Sequence, residues 1–196
     1  MALTLKRTNE APKSFIKDVY EIEKKTYSAD LCGTLENQIL RYDFENDSFL
    51  LVYDGDTLVG YVNFLLLSDT LFEQMKDKNR HEMRDDDIMP SELCHWRKDS
   101  LNHLFIISVV VVPKYRGGEA IKLLGNGLLA YIRDKEKDGY PIGSISGSAV
   151  SDGGSNFMKR FGAVFHKEVD GGYLYYLSEE KNIRELITNG LLLKNV

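Results

Sequence analysis

Apolar residues along the chain alternate between a period of two and a period of 3.6, and this sorts most of the sequence into strands and helices. Residues 3–8 alternate and predict a short first strand. From 12 to about 28, Phe15, Ile16, Val19, Tyr20, Ile22 and Tyr27 keep a helical spacing, with Pro12 near the start where a first helical turn accepts it. Thr34 is placed to cap a second helix over 35–42, and Glu36 lies one position short of a capping box. The runs 48–53 and 57–67 are apolar and rich in β-branching. Asp54-Gly55-Asp56 joins them, which predicts a hairpin. Residues 68–102 then lose clear periodicity. A short helix starts within 71–75, and 81–100 reads mostly as loop.

Residues 104–112, Leu-Phe-Ile-Ile-Ser-Val-Val-Val-Val, are nearly all apolar. Such a run predicts a strand covered on both faces, lying centrally beside a parallel partner. A helix follows Pro113-Lys-Tyr-Arg-Gly-Gly; Ile121, Leu124, Leu128 and Ile132 mark its apolar face, Leu123 and Leu129 widen it, and Asp138-Gly139 ends it. Residues 142–150 form a strand of small residues, so 104–150 reads as one right-handed βαβ unit. A shorter helix over 151–162 comes next, then a hairpin of 163–169 and 173–177 across Asp170-Gly171-Gly172. The last helix, 178–189, carries Glu179 and Glu180 in its first turn, where the helix dipole favours acids. The order βααββ–insert–βαβαββα predicts an α+β fold in three layers. A mixed, mostly antiparallel central sheet of about seven strands holds one parallel βαβ pair, with helices on both faces.

Length and composition narrow the function classes. A chain of 196 residues fits one domain over 1–196, with an insertion at about 68–102. The net charge of −5 leaves no global basic field, so nucleic acid is not an expected partner. Cys32 and Cys94 cannot make a disulfide framework or a four-thiolate zinc site, and Cys94-His95 is too sparse for a metal centre. The longest apolar run is the nine residues 104–112, about half of a membrane span, and the first residues lack a signal-peptide apolar core. The expectation is a soluble, cytoplasmic protein without metal or membrane partner.

The candidate chemistry lies in Val109–Leu124, VVVVPKYRGGEAIKLL. A covered strand stops, Gly117-Gly118 follows, and a helix begins at once. Glycines there let backbone approach a ligand, and the free N–H groups of the helix start suit a phosphate or pyrophosphate. The same pair equally serves a tight turn. Neither GxxxxGK[ST] nor GxGxxG is present, which excludes two phosphate-loop families. Residues 113–137 hold six Lys/Arg against three acids on a chain that is acidic overall, which suits a small anionic cofactor; Lys/Arg at 133–137 also reads as a solvated helix face.

Strand, Val-Pro-Lys-Tyr-Arg-Gly-Gly, Leu-rich helix, small-residue strand and Asn-Phe-Met-Lys-Arg-Phe-Gly together resemble the GCN5-related N-acetyltransferase (GNAT) superfamily over about 45–67 and 103–177. The resemblance implies the acyl-CoA N-acyltransferase fold. It implies acetyl-CoA as co-substrate, bound between two splayed parallel strands, and direct acetyl transfer to a primary amine of a small molecule or protein. Lys114, Arg116, Gly117, Gly118 and Ala120 are the implied pyrophosphate contacts. Val110, Val111 and Val112 would offer backbone groups to the pantetheine, with Ser151 or Asn156 beside it. Glu119 stands where relatives carry a glycine, and Met158 stands where many carry a proton-donating tyrosine; either the thiolate leaves unassisted, or Tyr140 or Tyr173 serves, or the usual reaction is not catalysed. Counting thirteen residues back from Arg116 reaches His103, a candidate general base, and equally a histidine at a loop end. Ser108 interrupts the apolar strand, either to orient a water or the thioester or to bond within the sheet.

The insertion carries nine acids and six bases, with Asp85-Asp86-Asp87 the densest patch. An acidic lid at Asp85, Asp86 and Asp87 would attract a cationic amine; a solvated loop used in packing or in a homodimer contact is the other reading. Trp96 either caps a pocket or anchors the loop to the core. The function these readings favour is acetyl-CoA-dependent N-acetyl transfer. A non-catalytic acyl-CoA-binding module of the same fold is the alternative, favoured by Met158 and Glu119.

Overall fold

The computed structural model describes residues 2–84 and 87–191. Strand β1 (Leu3–Arg7) is followed by helices α1 (Phe15–Thr26) and α2 (Leu35–Phe44), then by the hairpin β2 (Phe49–Asp54) and β3 (Thr57–Leu67). Helix α3 (Asp69–Lys76) opens the insertion. After it come β4 (Asn102–Val111), α4 (Glu119–Lys137), β5 (Ile142–Ala149), α5 (Asp152–Arg160), β6 (Val164–Val169), β7 (Tyr173–Glu179) and α6 (Glu180–Asn189). One sheet holds all seven strands in the order β1-β2-β3-β4-β5-β7-β6, and β4–β5 is its parallel pair. No helix among the described residues is long and apolar enough to cross a membrane.

Both sheet faces are covered, which is why the central strands read as continuous apolar runs. In β2, Leu50 and Val52 face one core with Leu124, Leu128 and Ile132 of α4 and Phe157 of α5. Their neighbours Phe49, Leu51 and Tyr53 face the other, with Phe15, Ile16 and Val19 of α1. The local signals act where expected: the Thr34 hydroxyl accepts the Asn37 N–H at 3.1 Å and caps α2, and Gly55 takes the positive φ that the β2–β3 turn needs.

The insertion is more ordered than its composition suggests. Leu71, Phe72, Met75, Ile88 and Leu93 bury themselves against Leu65, Leu67, Phe105 and Tyr175 of the sheet. Leu93 bridges to Leu67, and the Cys94 N–H donates to the Leu66 carbonyl at 2.9 Å. Trp96 is an anchor: its ring meets Tyr131 and Tyr140 edge-on at 6.0 Å each, with the Lys135 ammonium 4.8 Å from its centre. At the C-terminal side, Ser178 and Glu179 belong to β7, paired with Ile145 and Ser144, so the last helix starts at Glu180 rather than 178.

The splaying of the parallel pair, which the family resemblance implies, creates the site. Strands β4 and β5 pair only from Asn102↔Ile142 to Phe105↔Ser146 and then part. On the other side of β4, Phe64 pairs Ile106 and Asn63 pairs Ser108, so Ile107 is an extra, bulged residue. A bulge bends its strand and increases local twist. Beyond it, β4 stays with β3 while β5 stays with β7. Hence Ile107, Ser108 and Val109 are only half-buried, although the apolar run predicts cover throughout.

Candidate functional site

The fork between β4 and β5 opens two adjoining cavities that share Tyr27, Ile107, Ser108, Ser148 and Val150. One continues between the strands to Val109, Gly147, Ser151, Gly154 and Met158. The other runs beneath α1 and α2 to Glu23, Leu31, Gln38, Arg41, Asn63 and Met83.

The second cavity holds a buried carboxylate that the sequence reading did not single out. Glu23 lies on the apolar stripe of α1, in step with Val19 and Tyr27, and is 7% exposed. Its Oε1 accepts from the Tyr61 hydroxyl at 2.7 Å and the Ser108 hydroxyl at 3.2 Å; its Oε2 accepts from the Gln38 side-chain amide. Burial pushes the Glu23 carboxyl above its ordinary value, while these hydrogen bonds and the Arg41 charge pull the other way. The same burial, with the Glu23 charge adding, drives Tyr61 well above the usual phenol range, so that hydroxyl stays a donor. A carboxylate on a helix's apolar face was the available signal, since burial of such a group needs a reason. Ser108 joins this cluster and lines both cavities.

The other residue expected to catalyse sits elsewhere. His103 lies in the closed part of the β4–β5 ladder, five residues and therefore about 16 Å along the strand from Ser108. Its Nδ1 is 2.9 Å from the Ser144 hydroxyl, its ring stacks on Phe72 at 3.8 Å, and its Nε2 is 3.7 Å from Asp69. Burial lowers its pKa, with Asp69 opposing. It lines neither cavity. Tyr140 lies beside Trp96 and Tyr173 packs with the insertion's core, so neither of these tyrosines reaches the fork. Tyr27, where the chain leaves α1, is the tyrosine that lines both cavities.

The glycine turn has the geometry of an anion cradle. After Val112, Pro113–Tyr115 makes one turn of 3-10 helix. Gly117 takes φ +70°, and Gly118 caps α4 without a side chain. A Cβ at Gly117 would meet nothing within 4 Å, so the approach to the helix start is open. The turn is fixed from outside: the Arg116 Nε donates to the Val111 carbonyl at 3.0 Å, and the Tyr115 hydroxyl donates to Asp54 at 2.6 Å. Lys114, Arg116 and Glu119 are exposed around the turn, while Ala120 is buried under it. The first N–H groups of α4 are left to a ligand or to water.

The backbone register amends the strand-edge expectation. The Val112 N–H donates to Val59 at 2.9 Å, and the Val112 carbonyl accepts from Tyr115. The Val110 carbonyl faces Gly60 on β3. By the alternation of a strand, Val109 and Val111 are therefore the residues whose backbone groups face away from β3 toward the fork, and since the Val111 carbonyl accepts from Arg116, Val111 offers its N–H there. Of the three valines expected there, only Val111 does so, because the bulge at Ile107 shifts the phase by one residue.

At the far wall, Ser151 caps α5 by accepting the Gly154 N–H at 3.2 Å and lines the inter-strand cavity. Asn156 is exposed one turn on. Met158 is buried against Gly147 and lines the cavity, a side chain with no proton to give. Of the acidic patch, Asp85 and Asp86 lie outside the described residues. Asp87 is exposed, holds Arg84 through two contacts of 2.9 and 3.0 Å, and lines neither cavity.

Among curated protein sequences, none matches the chain significantly. Many solved structures share its fold. The GNAT-like decarboxylase GphF, solved in complex with isobutyryl-CoA, superposes with a TM-score of 0.67 at 13% identity, covering 90% of this chain and 98% of that one. The loading GNATL domain of CurA from Lyngbya majuscula gives 0.62 at 13%, covering 92% and 99%. A chain of the NatC complex bound to Gag peptide and CoA gives 0.60 at 11%, covering 91% and 99%. The sequence profile of the acetyltransferase (GNAT) family matches residues 16–140, a span that includes the buried Glu23, the bulged strand and the glycine turn, and the chain belongs to that family.

Proposed function

We propose that the protein transfers an acyl group, with acetyl the first candidate, from acyl-CoA to a primary amine of a small molecule or peptide. The observation that carries this reading is the forked sheet: two adjoining cavities run from the gap between β4 and β5 to a buried carboxylate, and the glycine turn follows directly on the end of β4. Solved structures of the same fold carrying isobutyryl-CoA, or CoA with a peptide, lend it support.

When bound, acyl-CoA supplies a thioester whose carbonyl carbon an amine attacks and whose thiolate leaves. The N–H groups at Gly118, Glu119 and Ala120 would hold the pyrophosphate, with Lys114 and Arg116 at its rim. Glu119 is exposed at that helix start, so its carboxylate can turn to water while its N–H stays with the anion. Val109 and the Val111 N–H would take the pantetheine amides, with Ser151 and Asn156 opposite. Glu23 accepts the proton of the incoming amine, directly or through one water. Ser108 and Tyr61 hold its Oε1 by hydrogen bonds, and Gln38 holds its Oε2. Tyr27, the tyrosine that lines both cavities, would give a proton to the departing thiolate, since Met158 has none to give.

Calorimetric titration with acetyl-CoA, then with CoA, tests the reading. Binding together with thiol release in a panel of primary amines is the expected result. No binding at millimolar acetyl-CoA rejects it. Binding without transfer to any amine would favour the acyl-CoA-binding module instead.

A further inference from the structure

Two carbonyl oxygens in the acceptor cavity have no hydrogen-bond donor among the described residues, and both are deeply buried. Gln38 is 3% exposed and Asn63 4%, and both line the cavity that holds Glu23. Their Oε1 and Oδ1 are unpartnered. The orientation of Gln38 is fixed by its neighbour: its Nε2 donates to the Glu23 carboxylate, which only accepts, so Oε1 is the end left over. Asn63 stands opposite Ser108 at the bulge of β4, on the same side of the fork as the carboxylate. Native proteins seldom leave two such acceptors buried in one cavity, because each has given up its water without a return. Two orphaned acceptors beside a carboxylate ask for one centre that carries several N–H donors.

Resting on the acyl-transfer reading above, we propose that the Gln38 and Asn63 side-chain carbonyls select the acceptor: they accept two N–H bonds from a primary ammonium, leaving its third N–H for Glu23, which takes that proton and leaves the neutral amine held by the two carbonyls. A hydroxyl or thiol acceptor carries one donor and leaves at least one oxygen orphaned. A tertiary ammonium likewise carries one donor, and a quaternary ammonium satisfies neither oxygen. Sites built to hydrogen-bond a ligand reject analogues that lack the donor, because their own buried groups are then stranded. Asn63 is the specificity-determining member of the pair; Gln38 also positions Glu23.

The full-length protein saturated with CoA, titrated with n-butylammonium and with butyltrimethylammonium, separates donor count from charge, since both ions carry one positive charge. Butylammonium should bind at least about tenfold more tightly. In Asn63→Leu the ratio should fall toward one. The ligand-free variant should melt about 2–4 °C higher, because an orphaned carbonyl is replaced by an apolar group. Should leucine not be accommodated, Asn63→Ala tests the same loss of ratio. Equal binding of the two ions by the native protein overturns the proposal, as does failure of butylammonium to bind. A ratio unchanged in both variants also overturns it, since that marks simple exclusion by size. Acetyl-CoA affinity is measured in parallel: if acetyl-CoA fails to bind, the parent reading falls; if it binds and the ratio is absent, only the selection by Asn63 and Gln38 falls.

Discussion

Glu23 shows how a single residue links the helix stripe to the chemistry. Burial raises its pKa, so between the carboxylate's ordinary value and the raised one the folded protein holds a proton that the unfolded chain has released. In that window folded stability falls as pH rises, while the fraction of Glu23 able to accept a proton increases. Activity and stability therefore respond to this carboxyl in opposite directions. Glu23→Gln should cut kcat by about 10²–10⁴-fold and remove the acid limb of the pH–rate profile. Its melting temperature at neutral pH should be unchanged or higher, because the buried charge is gone and the amide oxygen can still accept from Tyr61. An acid limb that persists in Glu23→Gln, with the fold intact, would exclude Glu23 as the base. The same limb should survive in His103→Gln, whose ring is stacked on Phe72 away from the cavities. Glu23 was legible in the helical pattern as an acid in step with Val19 and Tyr27. Asn63 was legible as a polar break in the run Val62-Asn63-Phe64. Counting back from Arg116 leads to His103, which lies in the closed part of the β4–β5 ladder and lines neither cavity.

Periodicity located all seven strands and the approximate spans of five of the six helices, with only a start marked for the one in the insertion, because covered strands and amphipathic helices leave their burial in the sequence. It could not show where β4 and β5 separate. That depends on one extra residue in β4 and on what packs at the fork, neither of which alters an apolar run. Gly147 marks the fork from the other side. It lies one residue past the last β4–β5 pair, and a Cβ there would come 2.8 Å from the Ile106 carbonyl and 3.3 Å from the Met158 sulfur. The first contact is with backbone, so a methyl group must push one strand away from the other. Gly147→Ala should then destabilise the fold by about 1–3 kcal/mol and weaken acetyl-CoA binding measurably, with the two effects separable by denaturant melts and calorimetry. If affinity and stability both stay at native values, the width of the fork is not set by this contact.

Charge acts at the scale of the whole molecule, and the structure changes what the acidic insertion means. Its described acids are partly answered from nearby: Asp69 by Arg97, Asp87 and Glu92 by Arg84. Exposed pairs of this kind contribute little to stability, so the insertion is held by other means. Apolar side chains bury it against the sheet, and β6 clasps it. The Lys167 ammonium, buried at a register shift in β6, donates to the Asp77 carbonyl at 2.8 Å and to the Arg80 carbonyl. Its neighbour His166 reaches the Lys76 carbonyl at 2.8 Å, and the Asp170 N–H donates to His81 at 2.7 Å. Met83, a few residues on, lines the acceptor cavity. The clasp therefore ties an edge strand to one wall of the site. Lys167→Met keeps the stem's packing but strands two carbonyls, at a cost of about 1–3 kcal/mol for each that water cannot reach. Backbone amides of residues 77–84 should exchange faster with solvent while those of β2–β5 keep their protection. The amine KM should rise with the acetyl-CoA Kd unchanged, because no residue of the glycine turn lines the cavity that Met83 helps to wall. Uniform loss of protection across the sheet would instead make Lys167 a support of the whole fold, and unchanged exchange at 77–84 would leave the insertion held by its apolar contacts alone.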